Sequence, residues 1–380
     1  MAKRIGIPVI GSAEWIGGVS YVENLVKAVR LLPDEEQPEL TLLVSDKDLE
    51  ALPLHAHFLH LFDGVLHRGT QRTAVESLFG RAVAVYSSEV ELGGLVDFVF
   101  PAADFMLGKI AAASWIPDFQ HVHLPQFFSS TEIQERDRSF LWKSSRSQTV
   151  VFSSQSAAAD FRRLYPQSSS RIATLCFHTL PESLWLRSDA VQVQRKYGLP
   201  DRFLLCSNQF WAHKNHCRVF EALGYMKLMG CPVSLVLTGS KSDYRHKTYF
   251  ETLMRMPGAL GIEEQVHVLG NIPRIDQIQL MRRSLGVIQP SLFEGWSTVV
   301  EDARALGKVM FLSDIDVHRE QSPDRAHYFP REDALALAHL IQAQLPHLEP
   351  GPQLRSELEC ARASLERVMG FGRKFMDICA

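Results

Sequence analysis

Short apolar runs alternate with helix-patterned segments along almost the whole chain. Strands are expected at 4–10, 40–44, 98–101, 113–117, 149–153 and 172–177, and helices at 19–31, 131–143 and 156–164. A second series follows. It has strands at 203–207, 233–238, 266–269, 285–288 and 309–312, and helices at 214–229, 247–256, 276–283 and 298–306. Two adjacent parallel strands need a crossover connection, and a helix is the usual one. Such an alternation folds as α/β, with parallel sheets covered by helices. Helical segments near 333–344 and 354–379 end the chain, and 55–95 shows no order that periodicity can assign.

The length of 380 residues suggests two domains, each able to bury its own core. The polar, proline-bounded stretch 181–200 is the best linker, so the expected division is 1–185 and 195–350. Forty Lys and Arg against forty-three Asp and Glu give a formal charge of −3, so no nucleic-acid partner is expected. No stretch of about 18 apolar residues is present, so no spanning helix is expected. The apolar run 5–10 is too short for a signal peptide and reads as a first strand. Six cysteines without a C-x-x-C pair look like small buried hydrophobes in a reducing compartment, which makes the expected location cytoplasmic.

The segment richest in chemistry is Pro290-Ser291-Leu292-Phe293-Glu294-Gly295-Trp296-Ser297-Thr298-Val299-Val300-Glu301-Asp302. A buried strand runs into a Gly-containing turn and then a helix. That arrangement sets unpaired backbone N–H groups at the strand's carboxyl end, where a phosphate can bind. A carboxylate beside it can accept hydrogen bonds from sugar hydroxyls. Together these suggest a nucleotide-sugar site. On the helix, Val299, Val300, Ala303 and Leu306 share the sheet-facing side, and Glu301 points almost opposite, toward solvent. Asp302 lies at the border, on the side of Thr298, and is the expected ligand-facing carboxylate. An ordinary capped helix is the alternative.

Three other segments follow strands. Gly17-Gly18 lies between the first strand and first helix, where two glycines let backbone N–H groups approach a ligand. Asn208-Gln209-Phe210-Trp211-Ala212-His213-Lys214 opens a helix, and Lys214 is placed to neutralise a diphosphate. Trp115-Ile116-Pro117-Asp118-Phe119-Gln120-His121-Val122-His123 bunches aromatic, acid and imidazole groups that suit carbohydrate contact and acid–base work. A metal reading of His121 and His123 lacks a third ligand, so no metal is expected.

These segments, in this order, resemble the retaining glycosyltransferases of family 4, which have the GT-B fold: two Rossmann-like, doubly wound domains facing across a cleft. The resemblance is strongest over 203–320. It implies that Glu294 contacts donor-sugar hydroxyls, Asp302 the ribose, and the backbone of Ser297 and Thr298, beside Gly295 and Trp296, the diphosphate. It implies that Lys214, beside Asn208 and Gln209, binds phosphate, and that Gly239 and Gly270, with Asn271 and Ile272, form turns around the nucleotide. It also implies that Gly17-Gly18 closes over the diphosphate, that Asp118 and His121 make catalytic contacts from the first domain, and that the helix 354–379 packs back on that domain.

The resemblance implies a nucleoside-diphosphate sugar as co-substrate, no cofactor and no essential metal. The acceptor would be a saccharide or a lipid-linked saccharide, as in polysaccharide or glycoconjugate biosynthesis. Three residues depart from the family pattern. Gln209 stands where many members carry Arg, Asp302 replaces Glu, and Pro117 replaces His. They motivate a second reading, a nucleotide-sugar-binding or scaffold subunit on the same fold. A third keeps the fold and changes the reaction, for example to epimerisation. The basic residues of 136–146 beside Phe140, Leu141 and Trp142 could touch the inner face of an anionic membrane; an ordinary surface helix is the alternative.

Overall fold

A computed structural model of the protein describes residues 2–12, 15–102 and 110–380. The chain forms two compact units. The first comprises Met1–Phe119, Thr131–His178 and Glu366–Ala380, and the second Gln120–Ser130 and Thr179–Leu365. The second unit thus starts before the polar stretch read as a linker, and it takes a segment from within the first. The 181–200 stretch is not free chain. It holds the helices Ser183–Arg187 and Ala190–Lys196, and Trp185 from it enters the core of the second unit.

In the first unit, β1 (Arg4–Pro8), β2 (Glu39–Ser45), β3 (Gly64–Arg68), β4 (Ala84–Val85) and β5 (Phe98–Val99) form a parallel sheet in the order β4-β3-β2-β1-β5. Strands β6 (Ala113–Ile116), β7 (Thr149–Phe152) and β8 (Arg171–Thr174) form a second parallel sheet, and a parallel bridge from Val99 to Ala112 links the two.

The second unit has one six-stranded parallel sheet. Its strands are β9 (Phe203–Ser207), β10 (Ser234–Thr238), β11 (Val266–Gly270), β12 (Gly286–Gln289), β13 (Met310–Ser313) and β14 (Ala326–Phe329). Their order is β11-β10-β9-β12-β13-β14. The chain therefore winds outward from β9 in one direction and from β12 in the other. The carboxyl ends of β9 and β12 are the switch point where such sheets bind ligands. Both strands are buried along their whole length, as strands covered on both faces must be. Alternate residues feed two cores: Leu204 and Cys206 one, Phe203 and Leu205 the other.

Several elements differ from the sequence expectation. The unread region folds as a 3-10 helix Leu52–Leu61, β3, a helix Arg72–Phe79, β4 and a helix Glu89–Leu95. A 3-10 helix does not follow the 3.6-residue period, and β4 is only two residues long. The helix expected over 247–256 is two, Tyr249–Leu253 and Met256–Leu260, with Pro257 starting the second. Gly17 and Gly18 do not lie before the first helix. They sit inside its first turn, since the helix spans Ile16–Arg30.

The helix Leu354–Cys379 gives its last part to the first unit. There Phe371 meets Tyr21 edge-on and Phe375 packs on Phe100. Gly372 allows this approach, because a Cβ would lie 2.7 Å from the Ala28 carbonyl oxygen. Gly372→Ala should therefore cost about 1–3 kcal/mol through overpacking against backbone, despite alanine's better helix propensity. Urea unfolding measures it; an equal or higher midpoint would contradict the packing. Among the described residues no helix is long and apolar enough to cross a membrane.

Candidate active site

The carboxyl ends of β9, β10, β11 and β12 converge in the second unit. Gly239 follows β10 at φ +129°, and a Cβ there would lie 2.1 Å from the Asn208 carbonyl oxygen, so only glycine fits. Its N–H donates to the carbonyl of Gly270, which ends β11 at φ +71°. Asn208 follows β9 and exchanges two amide hydrogen bonds with Gln289 of β12, at 2.8 and 3.1 Å. This buried pair fixes the switch point.

Glu294 sits in the turn after β12 with its side chain 8% exposed. One of its oxygens accepts from Lys214 Nζ at 2.7 Å, Ser291 Oγ at 2.6 Å and Gln289 Nε2 at 2.8 Å. Burial pushes its carboxyl up, but the Lys214 charge, His318 and the hydrogen bonds from Lys214 and Ser291 outweigh that and hold it below its ordinary value. The structure thus joins two residues that the sequence showed 80 positions apart. Lys214 does not open the long helix. It ends a 3-10 turn, Ala212–Lys214, and Asn215 follows at φ +58° before the helix His216–Leu228. Asn215 Nδ2 then donates to the Pro290 and Arg331 carbonyls, and Leu292 N–H donates to the His213 carbonyl. Nothing in the sequence reading pointed to Asn215, although asparagine tolerates that backbone well.

The helix Thr298–Ala305 starts at the same edge. The N–H of Ser297 donates to Gln321 Oε1 at 3.3 Å, while Thr298 N–H begins the helix without an intrahelical partner. Glu301 is not solvated: it is 1% exposed and accepts from Gln321 Nε2 at 2.9 Å. The helix Asp316–Gln321, which the sequence reading missed, supplies Gln321. Asp302 is fully buried. Arg274 Nη2 lies 2.7 Å from it, an ion pair in which no N–H aligns on either carboxylate oxygen. Burial pushes the Asp302 carboxyl up, and Arg274 only partly opposes this. Asn271 is exposed, Ile272 packs on the core, and Gln209, Gly295 and Trp296 are half-buried. His318 is buried, with Nδ1 held on the Ser313 carbonyl at 2.8 Å and Nε2 unpaired.

In the first unit, Asp118 accepts from Arg136 at 2.6 Å. His121 belongs to the second unit, where it is buried edge-on to Phe128. Trp115 stacks with Tyr21 at 4.2 Å and with Trp15 at 5.7 Å. Trp15, which the sequence reading passed over, carries the exposed end of this stack. It borders a cavity of about 840 Å³ that Asp46, Arg68, Trp115, Pro117 and Lys143 also line. Among the described residues no three His, Cys, Asp or Glu side chains are grouped to hold a metal ion.

Residues 192–345 match the family model of glycosyl transferases group 1, and that range holds every residue of the β9–β12 site. Solved structures match the whole chain. HepE from Anabaena, crystallised with UDP, shares 16% identity, with 99% of this chain and 98% of that one covered at a TM-score of 0.66. The fold is GT-B. A UDP-forming α,α-trehalose-phosphate synthase from Burkholderia vietnamiensis is a further GT-B match, at 12% identity, 100% and 98% coverage and a TM-score of 0.63. Sucrose-phosphate synthase from Thermosynechococcus elongatus follows at 15%, 97% and 94%, and 0.59. No curated protein matches the chain in sequence.

Proposed function

We propose that the protein is a retaining glycosyltransferase that moves a sugar from a nucleoside-diphosphate sugar to an acceptor hydroxyl. The observation that carries this is the buried Lys214–Glu294 pair at the switch point, beside the start of the helix at Thr298. A cation and backbone N–H groups suit a diphosphate, and a carboxylate suits sugar hydroxyls. Support comes from the group 1 match over this unit and from the UDP bound by HepE. Asp302 has buried acceptor oxygens without aligned donors, which suits ribose hydroxyls.

Attack occurs from the face that the diphosphate leaves, and the donor's own phosphate helps take the acceptor proton. The protein contributes positioning and charge at the leaving group. The cavity of the first unit, with its exposed Trp15, suits a saccharide or lipid-linked saccharide acceptor. The role is polysaccharide or glycoconjugate synthesis in the cytoplasm. Exposed Leu141 and Trp142, with Arg146 stacked on Trp142 at 4.8 Å, suit peripheral contact with an anionic membrane.

No metal is needed to hold the diphosphate in this reading. Release of nucleoside diphosphate from a donor–acceptor pair should persist in EDTA; abolition by EDTA with rescue by a divalent ion would contradict it. One observation favours the binding-subunit reading: the Ser297 N–H is taken by Gln321. It predicts nucleotide binding without turnover on any acceptor.

A further inference from the structure

A cation without a hydrogen-bonded partner stands beside the Lys214 turn. Arg245 lies in the loop after β10, and its side chain is 6% exposed. Three aromatic rings surround its guanidinium: Phe128 at 4.8 Å, Trp211 at 5.1 Å and Tyr244 at 5.2 Å. The Asp243 carboxylate stops 3.9 Å from Nε, and the same Asp243 oxygen accepts the Arg245 backbone N–H at 3.0 Å. Nε is buried with no hydrogen-bond partner. Stacking covers the faces of a guanidinium and leaves its edge N–H donors unanswered. A buried charge in that condition calls for an anion.

The loop is fixed on the turn that carries Lys214. Phe210 N–H donates to the Ser240 carbonyl at 2.8 Å, and Trp211 Nε1 donates to the Ser242 carbonyl at 3.2 Å. Lys214 N–H donates in turn to the Trp211 carbonyl at 2.9 Å. His213, buried between them in sequence, feels both cations: burial, then Lys214, then Arg245 push its imidazole well below the ordinary value. The hydrogen bonds decide the assignment. Lys214 donates to Glu294 at 2.7 Å. Arg245 is farther from its own carboxylate, at 3.9 Å, and its Nε donates to nothing, so it is the cation with a buried donor left for an oxyanion.

We propose that Arg245 is a second oxyanion ligand beside Lys214, and that the oxyanion is a phosphate of the donor diphosphate. The proposal rests on the donor-site reading above. A guanidinium edge matches two phosphate oxygens at once, and a diphosphate carries enough charge to engage both cations.

Inorganic pyrophosphate tests it whatever base the donor carries. By isothermal titration, Arg245→Met, which keeps an apolar stem among the rings, should bind pyrophosphate at least tenfold more weakly than the wild type. Arg245→Lys, which keeps charge without the fork, should fall between them. Melting temperatures close to wild type separate this from misfolding, and if the methionine variant does not fold, the lysine variant must show the loss alone. Unchanged pyrophosphate affinity in a folded variant overturns the proposal. A variant that keeps pyrophosphate but loses UDP-glucuronate relative to UDP-glucose also overturns it, since the anion is then a sugar carboxylate. A folded wild type that binds neither pyrophosphate nor any nucleoside diphosphate sinks the donor site itself.

Discussion

Lys214→Ala should lower kcat/KM about 30- to 1000-fold, equivalent to about 2–4 kcal/mol of lost transition-state stabilisation. Two losses combine. The leaving diphosphate loses its nearest cation. Glu294 also loses its strongest charge partner and stays buried with only Ser291 and Gln289 donating to it. Its carboxyl then rises, because Lys214 is the largest influence holding it down against burial. Steady-state kinetics with a saturating acceptor measure the effect. Near-wild-type turnover with every donor used would remove Lys214 from the site.

Stability should fall steeply below about pH 6.5. His216 is fully buried, stacks on Phe210 at 4.6 Å and has no partner on either ring nitrogen. Burial, aided by Lys214, pushes its imidazole down to about 3 from an ordinary 6.5. His213 and His318 are displaced in the same direction, chiefly by burial. The folded state keeps these rings neutral, while the unfolded chain takes up protons below its ordinary value. The stabilisation is therefore complete above that value and is lost as pH falls toward the folded one. One such histidine contributes about 1.4 kcal/mol per pH unit, or roughly 2 kcal/mol between pH 6.5 and 5. Glu294 adds a loss only below its own ordinary range. Urea unfolding of wild type and His216→Leu at pH 7 and pH 5 separates the contributions. The variant should lose about 2 kcal/mol less on acidification; equal losses would show that His216 takes no part.

The architecture of the second unit was largely legible because its central strands are buried along their length. The run Phe203–Ser207 forms the expected strand without a shift of either end, and its four neighbours in the 203–312 series move by at most a residue or so. The helix Leu354–Cys379 also keeps its expected bounds. The six-residue helix Asp316–Gln321 was not legible, since so short a helix shows little of a period. That is why Glu301 reads as solvated: the helix carrying Gln321 covers it. Lys214 and Glu294 were each recognisable, but not their contact, and the Asn208–Gln289 pair joins two amides 81 positions apart. Arg274 beside Asp302 and Arg245 among its rings are likewise contacts between distant segments, which no local pattern encodes.

Thermal or urea unfolding against UDP, GDP, ADP, CDP and dTDP, with their common sugar conjugates, tests the central claim most directly. One nucleotide series, at about a hundredfold its dissociation constant, should stabilise the wild type by about 2.7 kcal/mol. That shift should shrink sharply in Lys214→Ala. A folded wild type that no nucleotide or nucleotide sugar stabilises would contradict a donor site at the β9–β12 switch point.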